Sequence, residues 1–213
     1  MNFAITPRAL LAAALAISAG TAFAGINDPV DDFLPSYTGS HNGDLDVVSA
    51  FVTYNPATDT FFFSGTMDAA IGTTASAFYG WGVDRGTGTA RFGSLATGVL
   101  FDSVVIFRLD GSATVNRFNG SDNLPAGTAT FAGNTIQGSI GGALLASTGF
   151  DKTAYTWNLW PRDGSQAGTA AISDFAPDNS NARVTVVPEP STVALLALGL
   201  GALGLVARRR RGA

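Results

Sequence analysis

Residues 43–66 read GDLDVVSAFVTYNPATDTFFFSGT. Two runs rich in Val, Phe, Thr and Tyr flank the five residues NPATD at 55–59. β-Branched and aromatic side chains suit a pleated, half-buried surface. Asn, Pro and Asp favour a tight turn between such runs. The stretch therefore predicts a strand over 45–54, a turn, and a second strand over 60–66.

The same texture continues downstream. Further strands are expected over 75–83, 99–109, 113–118, 128–132, 135–140, 153–160 and 183–187. One short strand is expected at Phe33-Leu34, inside an otherwise polar, turn-rich segment over 25–43. Asp110-Gly111 and Gly133-Asn134 read as hairpin turns. No amphipathic helix interrupts the series. Short strands with turn signals every few residues predict an all-β fold over 25–187, an antiparallel β-sandwich or jelly roll. At about 160 residues this is one domain's worth of chain, enough to bury a sizeable core.

Alternation assigns the faces, because successive strand side chains point to opposite sides. Tyr79, Trp81 and Val83 share one face, and Gly80 and Gly82 leave the other nearly bare. Tyr155, Trp157 and Leu159 share a face, with Asn158 and Trp160 opposite. Val99, Phe101, Val105, Phe107 and Leu109 are expected on one face, Asp102 and Arg108 on the other. Ser103 would be the single polar group on that apolar face, and needs a hydrogen-bond partner if buried.

Between residues 25 and 187, fifteen Asp and no Glu stand against six Arg and one Lys, a net charge of −8. An acidic surface argues against nucleic acid and anionic lipid as partners. Cysteine is absent, which excludes disulfides, thiol catalysis and thiolate metal sites. His41 is the only histidine and no nucleophile elbow accompanies it, so the sequence names no catalytic residue. A hydrolase built on a pair of aspartates stays open, although Asp59, Asp110 and Asp122 occupy turn positions.

Two binding chemistries are legible. Asp28, Asp31 and Asp32 cluster in the N-terminal segment, and Asp44 and Asp46 follow soon after. Hard oxygen ligands close together suit calcium, with Asp44 and Asp46 as candidate ligands; capping and turn aspartates are the alternative. No other cofactor is implied. Tyr79, Trp81, Trp157 and Trp160 are candidate carbohydrate contacts, since an aromatic ring beside a bare sheet face can stack on a sugar. The alternative is that the tryptophans form the core.

Both ends of the chain read as addresses. Arg8, an apolar run over 9–19 and the small residues of Ala22-Phe23-Ala24 resemble a signal peptide, with Ala22 and Ala24 read by signal peptidase and cleavage after Ala24. At the other end, Pro188-Glu189-Pro190 holds the only glutamate of the chain. An uncharged run of 17 residues, 191–207, follows it, and then Arg208, Arg209, Arg210 and Arg211. As a helix the run would extend about 25 Å, the short end of what spans a bilayer. The arginines predict a cytoplasmic tail.

That order of parts over 188–213 closely resembles the PEP-CTERM sorting signal of exopolysaccharide-producing Gram-negative bacteria. The resemblance implies recognition by exosortase, with cleavage near Pro188-Glu189-Pro190. The protein would be held in the inner membrane by the helix before processing, then reach the cell surface or extracellular matrix. The runs over 43–65, 80–86, 133–140 and 157–163 also resemble bacterial DOMON and family 9 carbohydrate-binding sandwiches, which implies fold alone. The expected function is an exported, non-enzymatic matrix or surface protein associated with exopolysaccharide and biofilm. A carbohydrate-binding module and a secreted hydrolase using an Asp pair are the alternatives.

Overall fold

The computed structural model describes residues 25–187, 196–201 and 203. The expected signal-peptide residues Ala22 and Ala24, the triplet Pro188, Glu189 and Pro190, and the arginines Arg208 to Arg211 lie outside the described residues. Of the expected membrane helix over 191–207, residues 196–201 and 203 are helical. No helix among the described residues is long and apolar enough to cross a membrane.

Along the chain run β1 (Ile26–Asn27), β2 (Val47–Asn55), β3 (Thr60–Met67), β4 (Ala77–Asp84), β5 (Thr89–Ala90), β6 (Leu100–Phe101) and β7 (Ser103–Arg108). They are followed by β8 (Ala113–Asn116), β9 (Ser121–Leu124), β10 (Ala129–Ala132), β11 (Thr135–Gly141), β12 (Thr156–Asp163), β13 (Ala182–Arg183) and β14 (Thr185–Val186). One six-stranded sheet has the order β1-β2-β3-β11-β10, with β14 also pairing to β2. The other has the order β13-β12-β4-β7-β8-β9. The pairings are antiparallel except β14 with β2. The expected hairpins close Asn55 on Thr60, Phe107 on Ala113 and Ala132 on Thr135. Gly111 and Gly133 take positive φ in two of these turns, a backbone that L side chains resist.

The core lies between the two sheets. The first contributes Val52, Phe61, Phe63 and Ile136; the second contributes Tyr79, Trp81, Phe107, Trp157 and Leu159. Phe63 meets the edge of Trp81 at 5.9 Å and of Phe107 at 6.1 Å between ring centroids. Phe61 stacks on Tyr155 at 5.5 Å. Each fully buried aromatic of this kind stabilises the fold by roughly 1.5–3 kcal/mol relative to exposure. Gly65 lets the sheets approach here, since a Cβ on it would stand 2.8 Å from Leu159 Cδ2.

The structure corrects the reading of 99–109. It is not one strand but two, β6 and β7, and the facing reverses at Asp102. Val105 and Phe107 enter the core as expected, whereas Val99 and Phe101 join a second apolar cluster with Val104, Trp160, Ile172 and Phe175. The cause is Asp102 itself. Its N–H donates to Val83 O at 3.1 Å, and its carboxylate takes the Arg85 guanidinium at 2.9 Å. Ser103 is buried and its hydroxyl donates to Val83 O at 3.4 Å. Phe33-Leu34 forms no strand; Phe33 instead stacks on His41 at 4.3 Å.

Candidate functional site

The second apolar cluster lies on the outward face of β4, β7 and β12, and a cleft opens over it. Phe78 and Gly80 of β4, Val104 and Ile106 of β7, and Trp160 and Arg162 of β12 form the sheet-side wall. Arg91, Phe92, Phe101 and Phe118 close it from flanking segments. The volume is about 270 Å³, room for a single sugar ring with its substituents. Trp160 packs edge-on against Phe92 at 4.9 Å and tilted against Phe101 at 4.9 Å.

The segment carrying Arg91 and Phe92 is held down by a buried ion pair. Besides Arg85, the Asp102 carboxylate accepts from the hydroxyls of Thr87 and Thr148. Burial pushes the Asp102 pKa up, and the hydrogen bonds from Thr148, Arg85 and Thr87 outweigh it, leaving it below the usual value. Arg85 also donates to Ala146 O at 2.9 Å. Asn181 fastens the same segment from the far side, accepting from Leu100 N at 3.1 Å and donating to Leu100 O at 2.6 Å.

The cleft is aromatic and cationic. The Arg91 guanidinium lies 3.8 Å over the Phe118 ring. The Arg162 guanidinium stands 5.7 Å from the Phe78 ring, and its Nε is buried without a hydrogen-bond partner. Burial draws the Arg162 pKa down. Phe118 is 46% exposed and holds φ at 64°. A bulky residue in the left-handed region costs about 1–3 kcal/mol and marks a place where display of the side chain matters. Asn116 Oδ1 fixes the turn by accepting from Phe118 N at 2.8 Å.

Of the four candidate carbohydrate contacts, Tyr79, Trp81 and Trp157 are wholly buried between the sheets and offer no ring face to a sugar. The Tyr79 hydroxyl donates inward to Asp44 O at 2.8 Å. Only Trp160 reaches the cleft, as part of its floor. The bare face at Gly80 and Gly82 is real, but its occupant is the protein's own Trp160 indole, whose Nε1 would stand 2.8 Å from a Cβ on Gly80. The sequence did not single out Arg91, Phe92 or Phe118, and it assigned Phe101 to the core face. The positive φ of Phe118 has a sequence trace in Asn116, two residues earlier, but no pattern of spacing joins these segments.

Asp44 and Asp46 turn to different partners. Asp44 accepts from Thr74 N at 2.6 Å and from Thr74 Oγ1 at 2.8 Å, so both its oxygens are engaged inside the protein. Asp46 is also fully buried and accepts from Asp31 N at 2.8 Å. The carboxylates that do converge are those of Asp28, Asp32 and Asp174, with one oxygen of each within 4.8 Å of the others.

The family described as PEP-CTERM protein-sorting motif matches residues 186–211. The chain carries a PEP-CTERM sorting motif. This motif is the recognition signal for exosortase, and proteins bearing it are exported and held in the membrane before exosortase cleaves them. The PEP-CTERM match begins within β14, where Thr185 and Val186 pair with Thr53 and Tyr54 of β2, so the sorting signal follows directly on the sandwich. No curated protein and no solved structure matches the chain.

Proposed function

We propose that the protein is a non-enzymatic surface or matrix protein, delivered by exosortase processing, whose cleft over β4, β7 and β12 holds a carboxylated exopolysaccharide. The observation that carries this reading is Phe118, displayed at a backbone cost directly beneath the Arg91 guanidinium. Flat aromatic faces pack against the apolar side of a sugar ring, and guanidinium groups in the same cleft donate to its carboxylate. Arg91 and Arg162 both line that cleft. The domain as a whole carries −8, so attraction to an anionic chain is local to the cleft and not a long-range pull.

Affinity electrophoresis through gels containing a uronate polysaccharide, a neutral polysaccharide or neither tests the proposal. Retardation by the uronate polysaccharide is expected. Equal mobility in all three gels would contradict it.

A further inference from the structure

We propose that Asp28, Asp32 and Asp174 bind a calcium ion that clips the N-terminal segment to the loop before β13. Asp174 is far in sequence from Asp28 and Asp32, yet one oxygen of each lies within 4.8 Å of the others. Oxygens that share one calcium at about 2.4 Å can be at most about 4.8 Å apart, so the triangle has ligand dimensions. None of the three makes an ion pair with Lys or Arg. Like charges gathered without a counter-charge oppose folding unless something positive joins them.

A second, separate observation points to a ligand. Asp46 is 0% exposed, and while Asp31 N holds one of its oxygens, the other has no hydrogen-bond partner. Asp46 adjoins the cluster on both sides: Asp31, next to Asp32, donates its N–H to the Asp46 carboxylate, and Val47, next to Asp46, donates its N–H to Asp174 at 3.0 Å. Asp28 Oδ2 and Asp32 Oδ1 are likewise buried and unpartnered. Buried acceptors are almost always satisfied, so the free oxygens of Asp28 and Asp32, and that of Asp46 on the adjoining segment, call for a cation or bound water. Val47 N and Phe175 N orient the Asp174 carboxylate, donating to its two oxygens at 3.0 and 2.6 Å.

An all-oxygen donor set selects a hard cation, and carboxylates drawn from irregular segments suit calcium better than the rigid octahedron of magnesium. The ion would tie residues that already touch through backbone: Asp28 N donates to Val48 O at 2.9 Å and Leu34 N to Ser173 O at 2.8 Å.

The test is calorimetric titration of CaCl2 into the EDTA-treated full-length protein in detergent at pH 7.5, with thermal unfolding followed alongside. One calcium per chain and a Tm higher by several degrees are expected, with at least tenfold weaker response to MgCl2. Asp28→Asn and Asp32→Asn should each weaken calcium binding at least tenfold. Because each removes a like charge, each should be as stable as the metal-free wild type or more so, and neither should gain from calcium. Asp110→Asn, at a fully exposed turn, should bind as the wild type does. Absence of heat and of any Tm change at 10 mM CaCl2 would overturn the proposal. So would equal calcium binding by wild type and both cluster variants.

Discussion

The six-membered ring of Trp160 fills the space in which a Cβ on Gly82 would stand. The two residues are on neighbouring strands, since Gly82 of β4 pairs with Asn158 of β12. Absence of a side chain on β4 thus seats the ring that floors the cleft, and the site depends on a residue with no functional group.

Gly82→Ala should therefore be costly. The added methyl meets the Trp160 ring and stands 3.0 Å from Phe101 Cγ, and overpacking of this kind costs about 1–3 kcal/mol. Urea unfolding should show a lower midpoint. In a Trp160→Ala background the same change should cost clearly less, because contacting residues are energetically coupled. Equal cost in both backgrounds would place the strain elsewhere.

Phe107→Ala should cost roughly 3–5 kcal/mol, because it removes a fully buried ring packed on Phe63 and Trp81. Arg108→Ala should cost under about 0.5 kcal/mol, since its side chain is half-buried and only meets Thr114 Oγ1 at 2.9 Å. Chemical denaturation separates the two; equal losses would reverse the facing of β7.

Asp102→Asn should destabilise the protein by roughly 3–5 kcal/mol, since Arg85 is then left buried without its counter-charge. Asp102 has a folded pKa below its ordinary value. Its stabilisation is thus fully present above the unfolded pKa of about 3.9 and is lost as pH falls through the lower folded value. Thermal unfolding between pH 6 and pH 2.5 should show the Asn variant losing less stability than the wild type as acid is added.

Glu189→Ala should block exosortase processing and leave an uncleaved, membrane-held species, because the PEP-CTERM motif is the signal the enzyme reads. Immunoblotting of membrane and extracellular fractions reads the outcome. Unchanged release of the variant would contradict processing through this motif.

The sandwich was legible because its central strands obey simple alternation. Tyr79, Trp81 and Val83, and Tyr155, Trp157 and Leu159, point into the core as their spacing requires. β9, SDNL, was missed because it is a polar edge strand whose single apolar residue, Leu124, shows no alternation. The facing of Val99 and Phe101 was misread because a buried ion pair, Asp102 with Arg85, overrides the period locally. The cleft was half visible. Gly80, Gly82 and Trp160 mark the outward face in sequence, while Arg91 and Phe118 reach it from segments that only the fold brings near. The acidic cluster shows the same division: Asp28 and Asp32 are neighbours in the chain, but Asp174 joins them only through tertiary structure.

Phe118→Gly should separate stability from binding. Glycine relieves the left-handed strain at φ 64°, so the variant should match or exceed the wild type by up to about 1 kcal/mol in urea unfolding. The ring on which the Arg91 guanidinium packs is lost with the substitution.

Titration calorimetry of a uronate oligosaccharide into the wild type, Phe118→Gly and Arg91→Ala, beside a neutral oligosaccharide of equal length, addresses the cleft most directly. Both substituted residues are exposed and lie outside the core, so folding is preserved. The wild type should bind the uronate oligosaccharide at least tenfold more tightly than the neutral one, and each variant should lose at least tenfold of that affinity. Absence of binding to the wild type, or equal affinity in all three proteins, would contradict a carboxylated glycan held between Arg91, Phe118 and Trp160.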